Sequence, residues 1–210
     1  MPAVLLATRN SKKLAELRRH LRGLRVPFRT LAESPAIPVV REDQPTFEAN
    51  AIKKAVLPSR RVEDLVVAED SGLTVDALDG APGVRTARFA KSPAALRDAA
   101  NNAKLLRLLR GVPDRQRQAA FICVVAIASR GRLVGITRGV CRGRIAHEQR
   151  GSTGFGYDPV FIPLRFRRTF AQLGPRVKDR LSHRSRAMRQ ARPLIVRALR
   201  AARESCRTAP

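Results

Sequence analysis

Leu65-Val66-Val67-Ala68-Glu69-Asp70-Ser71-Gly72-Leu73 decides how this chain is read. Its leading apolar residues predict a buried strand. The hydroxyl residue and glycine after the acids predict a turn. Two adjacent carboxylates then stand at a strand end, where ligands bind in open α/β sheets. Acids are scarce, 17 Asp and Glu against 42 Lys and Arg, so the pair is conspicuous. Hard cations such as Mg2+ take oxygen ligands, often one or two carboxylates plus substrate phosphates. The run suits a divalent metal or an activated water; it also suits a plain turn with solvated acids.

The flanking sequence alternates strands with helices. Val4 to Thr8 predicts a first strand. Ser11 to about Arg22 predicts a helix N-capped by Ser11, since Leu14, Leu17, Leu21 and Leu24 recur at helical spacing. Ser34 to Pro45 reads as loop and edge strand. Thr46 caps a second helix that runs to about Leu57, before Pro58. Leu73 to Ala77 reads as a further strand, Asp79 to Gly83 as a turn-rich loop and Pro93 to Leu109 as a helix. Ala119 to Ala128 is a near-continuous apolar strand. Arg130-Gly131 turns it as a hairpin into Leu133 to Thr137, and Gly139 to Ile145 extends the sheet. Residues 150 to 163 read as an ordered Gly- and Pro-rich loop, and Arg184 to about Arg203 as a helix kinked at Pro193. The pattern is α/β with a hairpin insertion. No repeat or linker interrupts it, so residues 1–205 read as a single domain, of one body or two packed lobes, with a frayed tail at 206–210.

With 210 residues, 44% of them apolar, the chain can bury a sizeable core. No apolar run reaches transmembrane length, and the first residues lack the basic start and long apolar stretch of a signal peptide. Cys123, Cys141 and Cys206 are odd in number and widely spaced, giving neither a zinc pattern nor a disulfide framework. A reducing, cytoplasmic home is expected. The net charge of +25 suits a polyanionic partner. However, 35 of the 42 basic residues are Arg, spread from Arg9 to Arg207, and aromatics make up only 4%. That spread argues for a general arginine bias over a focused surface. Neither a specific nucleic acid nor a membrane is expected as a partner.

Four further runs carry chemistry. Thr8-Arg9-Asn10-Ser11-Lys12-Lys13 joins the first strand to the first helix. Hydroxyls, an amide and lysines at a helix N-terminus suit a phosphate. The spacing is not that of a P-loop, and a capped helix with solvated lysines fits as well. Glu42 to Asn50, EDQPTFEAN, adds Glu42, Asp43 and Glu48, or is an ordinary acidic helix start. Gly151 to Pro159 holds Phe155-Gly156-Tyr157-Asp158. Its glycines allow close backbone approach, and an exposed ring beside an acid could stack on a base and bond its edge. A turn with Phe155 tucked into the core is the plainer reading. Lys178 and Ser182-His183-Arg184 put positive charge at the opening of the last helix, which suits a phosphate or a carbonyl.

Together these runs resemble the inosine triphosphate pyrophosphatase family, which hydrolyses non-standard purine nucleoside triphosphates. The resemblance spans nearly the whole chain, through ATRNSKKLAEL, TFEANAIKKA, AEDSGLTVDALDGAPGVRTARFA, NNAKLL, GSTGFGYDPVF and KDRLSHRSRA in that order. It implies an α/β fold, a long mixed central sheet with helices and two lobes around a substrate cleft. It implies conversion of ITP, dITP and XTP to the monophosphate and pyrophosphate with Mg2+, usually by a homodimer. By the same resemblance, Asp70 would be the general base and a metal-linked carboxylate, Glu42 would help hold Mg2+, and Glu69 would support it. Thr8, Arg9, Asn10, Ser11, Lys12 and Lys13 would form the triphosphate loop, and Ser71 would contact substrate. Phe155 would stack on the purine, with Gly156, Tyr157 and Asp158 in the same loop. Lys178, His183 and Arg184 would complete the site, the last two near the base's 6-oxo edge.

The chemistry suits these roles. Cleavage between the α and β phosphates needs water aimed at the α phosphorus and cations against the charge building on pyrophosphate. A carboxylate such as Asp70 can orient or deprotonate that water. Donors at the purine 6-position would leave adenine mismatched, since it presents an amino group where hypoxanthine and xanthine present a carbonyl. Two positions depart from the family pattern: Arg9, where Gly is more usual, and Ala49, where Glu is common. Two other readings stand beside this one. One is a Maf-like pyrophosphatase for modified pyrimidine triphosphates; the other is a basic nucleic-acid-binding protein without catalysis.

Overall fold

A computed structural model describes residues 3–207, with side chains as far as residue 204. Its strands are β1 (Val4–Leu6), β2 (Phe28–Thr30), β3 (Leu65–Val75), β4 (Gln118–Ser129), β5 (Arg132–Ile145) and β6 (Phe161–Pro163). They form one mixed sheet in the order β2-β1-β3-β4-β5-β6. β1 runs parallel to β2 and β3, and β5 antiparallel to β6. The helices are α1 (Ser11–His20), α2 (Phe47–Ser59), α3 (Arg97–Leu108), α4 (Phe170–Leu181) and α5 (His183–Arg207). The expected α/β architecture is the one observed. No helix among the described residues is long and apolar enough to cross a membrane.

The chain packs as two units, each with its own core. Unit 1 takes the chain as far as Asp70, then Cys123–Gly139, then everything from Arg184 onward. Its core joins alternate strand residues, Val4 and Leu6, Leu65 and Val67, and Cys123, Val125 and Ile127. A period of two puts each set on one face of the sheet. Met188, Ala191, Ile195 and Leu199 of α5, Leu17 of α1 and Leu21 at its C-cap complete the cluster. Their spacing of three and four makes a single apolar stripe on each helix. Each fully buried Leu, Ile or Val contributes about 1.5–3 kcal/mol. Unit 2 takes Ser71–Ile122 and Val140–His183. Its core is aromatic, with Phe121 and Phe161 ring centroids 4.6 Å apart and Phe161 and Phe170 at 5.5 Å. Arg117, 2% exposed, donates to the carbonyls of Leu109, Ile145 and Ala146 at 2.8 Å each, tying the end of α3 to that of β5.

Several elements differ from the sequence-based expectation. Glu69 to Gly72 is not a turn, because β3 runs unbroken from Leu65 to Val75. Ser71 and Gly72 tolerate extended backbone, and β4, its long neighbour, carries the ladder onward. The edge strand is β2, not part of Ser34 to Pro45, where prolines remove backbone donors. β5 is continuous, and the hairpin before it turns on Arg130 (φ 49°) and Gly131 (φ 77°), the two positive angles of a type I′ turn. α4 went unread because Gly174, at φ 78°, and Pro175 interrupt its helical pattern. α2 continues through Pro58, and α5 carries Pro193 and reaches Arg207; residues 208–210 of the expected frayed tail lie outside the described residues.

Candidate active site

In unit 1 the acidic pair sits where the short parallel strands give out. β1 pairs with β3 only as far as Leu6 and Val67. Beyond that register the Thr8–Asn10 loop leaves β1 for the start of α1, and Glu69 and Asp70 follow in β3. The acids therefore lie mid-strand in β3, yet at the carboxyl end of β1, where open sheets bind ligands.

Neighbouring strand residues point to opposite sides of a sheet, and these two acids meet different surroundings. Glu69 is 1% exposed. Lys13 Nζ lies 2.8 Å from its Oε1, Arg184 Nη2 donates to Oε2 at 3.2 Å, and the Cys123 thiol donates to Oε2 at 3.2 Å. Arg184 also bonds the buried Glu16 through Nη1. Burial works to raise the Glu69 pKa, but Arg184, Lys13 and Lys54 outweigh it and hold the carboxyl well below the usual range. Asp70 is also buried, with Lys54 Nζ 3.3 Å away. Here burial prevails over Lys54 and Lys13, and the carboxyl is pushed up. Burial also pushes the Cys123 thiol up, with Glu69 adding to it.

The same Lys54 ammonium lies 2.7 Å from Glu42. Glu42 and Asp70 thus converge on one cation, the Lys54 ammonium. Among the described residues no group of three or more His, Cys, Asp and Glu gathers to hold a metal alone. Two carboxylates suit Mg2+, which usually keeps water and phosphate as its other ligands.

Asn10, rather than Ser11, caps α1. Its Oδ1 accepts the amides of Lys12 at 3.0 Å and Lys13 at 3.2 Å, while Thr8 Oγ1 accepts the Asn10 amide at 3.3 Å. Ser11 is the first helical residue, and Arg9, Ser11 and Lys12 are exposed around it. Asn10→Ala should cost about 1 kcal/mol of stability, read from the shift of a urea midpoint.

In unit 2 the loop at Phe155 is pinned at several points. Asp158 Oδ2 accepts the Phe155 amide at 2.9 Å and Lys178 Nζ at 2.6 Å. Lys178 Nζ also lies 4.2 Å from the centre of the half-buried Phe155 ring. Tyr157 is buried in the core and donates its hydroxyl to the Thr86 carbonyl at 2.9 Å, so it anchors the loop. The buried His183 ring stacks on Phe121 at 4.7 Å. Ser71, also buried, continues β3 after Asp70. Phe155, Asp158 and Lys178 are therefore brought together in unit 2, and Asp70, Glu42 and Lys13 gather with Lys54 in unit 1. Arg184 differs from its expected place at a base edge: its guanidinium engages the carboxylates of Glu16 and Glu69.

A model of the Ham1 family matches residues 4–194. The chain belongs to the Ham1 family. A Ham1 relative from Rhodopirellula baltica, named dITP/XTP pyrophosphatase, is 47% identical over 92% of this chain and 93% of its own. One of the same name from Desulforamulus reducens is 44% identical, over 92% and 96%. The structure of a HAM1 protein from Coxiella burnetii matches with a TM-score of 0.84 at 38% identity, covering 94% of this chain and all of that one. A nucleoside-triphosphatase or dITP/XTP pyrophosphatase from Mycobacterium abscessus matches at 0.75 and 42% identity, over 91% and 99%.

Sequence reasoning about this Ham1 chain missed Lys54 and Glu16. For Lys54 a signal existed. α2 buries Phe47, Ala51 and Ala55, and at 3.6 residues per turn Lys54 falls near that inward face while Lys53 falls away from it. For Glu16, buried beside Leu17, nothing local foretold a partner as remote in sequence as Arg184.

Proposed function

We infer that this Ham1 chain is a pyrophosphohydrolase that converts ITP, dITP and XTP to the monophosphate and pyrophosphate. One observation carries the reading: relatives named dITP/XTP pyrophosphatase are 44–47% identical over 92% of this chain. The adjacent carboxylates suit that chemistry, since their surroundings drive their pKa values apart, Glu69 down and Asp70 up. Such a split separates a fixed anion from a working base. Asp70 takes the proton of the water that attacks the α phosphorus. Glu69, held ionised by Arg184 and Lys13, keeps Lys13 oriented and favours the positive charge of the Lys54 site. Glu42 and Asp70 would hold Mg2+, which when bound would supply positive charge against the leaving pyrophosphate.

In unit 2 the partly open Phe155 ring takes the base by stacking. Lys178 and His183 are the donors for the 6-oxo group, with Arg184 acting through Glu69 instead. The dITP/XTP names of relatives at 42–47% identity favour purines over the modified pyrimidines of a Maf-like enzyme. A cytoplasmic homodimer is the setting this reading carries; the buried Cys123 and Cys141, neither in a disulfide, fit a reducing compartment.

Pyrophosphate release from ITP, XTP, GTP and ATP, with Mg2+ and with EDTA, tests the inference. Rapid, metal-dependent release from ITP and XTP, with ATP nearly untouched, is expected; silence with all four rejects it. The pH profile adds a second check. Asp70 titrates above the ordinary value of about 4, so kcat/KM should fall on the acid side from a correspondingly higher pH. Lys54→Met removes a charge that lowers the Asp70 pKa, and should move that acid limb to still higher pH.

A further inference from the structure

Gly156 is held on both sides by one face of α3. Asp98, in the first turn of that helix, accepts the Gly156 amide at 2.8 Å. Asn102, one turn later, donates from Nδ2 to the Gly156 carbonyl at 3.0 Å. Residues four apart share a helix face, so a single rigid element fixes both peptide groups flanking this glycine. Gly156 has φ +62°, and a Cβ there would meet nothing within 4 Å. The position therefore demands glycine for its backbone angle, not for space. Phe155 precedes it, with its own amide fixed by Asp158. The backbone that aims the ring is thus held before and after Phe155.

Asn102 carries a second sign of function. It is 2% exposed, and its enclosed Oδ1 meets no hydrogen-bond partner among the described residues. A leucine would fill such a place without a stranded acceptor. What the amide offers that leucine lacks is the bond to Gly156 at 3.0 Å, with a longer one to Gln149 Oε1 at 3.5 Å.

We propose that Asp98 and Asn102 are positioning residues that aim the Phe155 loop and so set how tightly the purine is held. The proposal rests on the reading of Phe155 as the stacking ring. Stacking acts alike on bound substrate and transition state, so a loosened loop weakens binding without slowing chemistry.

Steady-state kinetics with ITP on Asp98→Ala and Asn102→Leu test this, with Asp98→Asn, which keeps an acceptor, as the conservative variant. KM should rise about tenfold while kcat stays within about twofold, and Asp98→Asn should regain most of the loss. Binding of inosine monophosphate should weaken in parallel. An unchanged KM alongside a lowered Tm overturns the proposal, since a merely structural role moves only the latter. If either first variant fails to fold, Asp98→Ser, which shortens the acceptor, and Asn102→Ala, which removes the donor without adding charge, carry the same comparison. Absence of ITP hydrolysis by the wild-type protein would overturn the functional reading itself, and this proposal with it.

Discussion

Asp70→Asn should lower kcat for pyrophosphate release from ITP by about a thousandfold, in the middle of the range for loss of a general base. The change is nearly isosteric. The amide oxygen can still accept from Lys54, which keeps Glu42 as its ionic partner. The fold should therefore survive, and a circular dichroism melt should show a Tm within a few degrees of wild type. ITP should still bind, because the variant removes a negative charge from a site meant for phosphates. The acid limb of the pH profile should vanish with the activity. A variant that keeps more than about a tenth of the wild-type rate would exclude Asp70 as the base.

The second large effect is on stability. Arg184→Met keeps the length and apolar stem of the side chain and removes the guanidinium that both Glu16 and Glu69 engage. Breaking a buried ion pair by removing one partner costs about 3–5 kcal/mol, a large share of the 5–15 kcal/mol typical of a domain. A urea midpoint well below wild type is expected. Adding Glu69→Gln should recover part of the loss, because it removes a buried charge that Arg184 no longer balances. The pH dependence fixes the sign. The folded Glu69 pKa is depressed, so its contribution is complete above the unfolded value of about 4.3 and drains away as pH falls from there through the folded value. Arg184→Met should shrink that acid-side loss. A midpoint equal to wild type would mean that the Glu16–Arg184–Glu69 triad contributes nothing net.

Residues whose role depends on local pattern were legible in the sequence. Met188, Ala191, Ile195 and Leu199 announce α5 by spacing, and Ala119 to Ala128 announces β4 by its apolar run. The ordered motifs foretold the family. What stayed hidden depends on partners far apart in the chain. Glu69 to Gly72 looked like a turn because the ladder that keeps it extended comes from β4, remote in sequence. Arg184 looked like a ligand-binding cation because its two carboxylate partners, Glu16 and Glu69, lie on elements no local pattern joins to it. Asn10 competed with Ser11 as a cap, and both satisfy the same preference; only the hydrogen bonds to Lys12 and Lys13 decide it.

The division of the chain between its units sets an order of assembly. Unit 2 is complete in sequence once His183 has been made, whereas unit 1 still lacks α5. Synthesis proceeds from the N-terminus, and domains tend to fold as they emerge. The strands of unit 1 must therefore wait for Met188, Ala191, Ile195 and Leu199 to cover them. Glu69 must wait for Arg184, the first residue of that late stretch. A nascent chain halted before Arg184 would hold Phe155, Lys178 and His183, but not the guanidinium that joins Lys13 and Lys54 in keeping Glu69 ionised. Catalytic competence thus waits on the translation of α5.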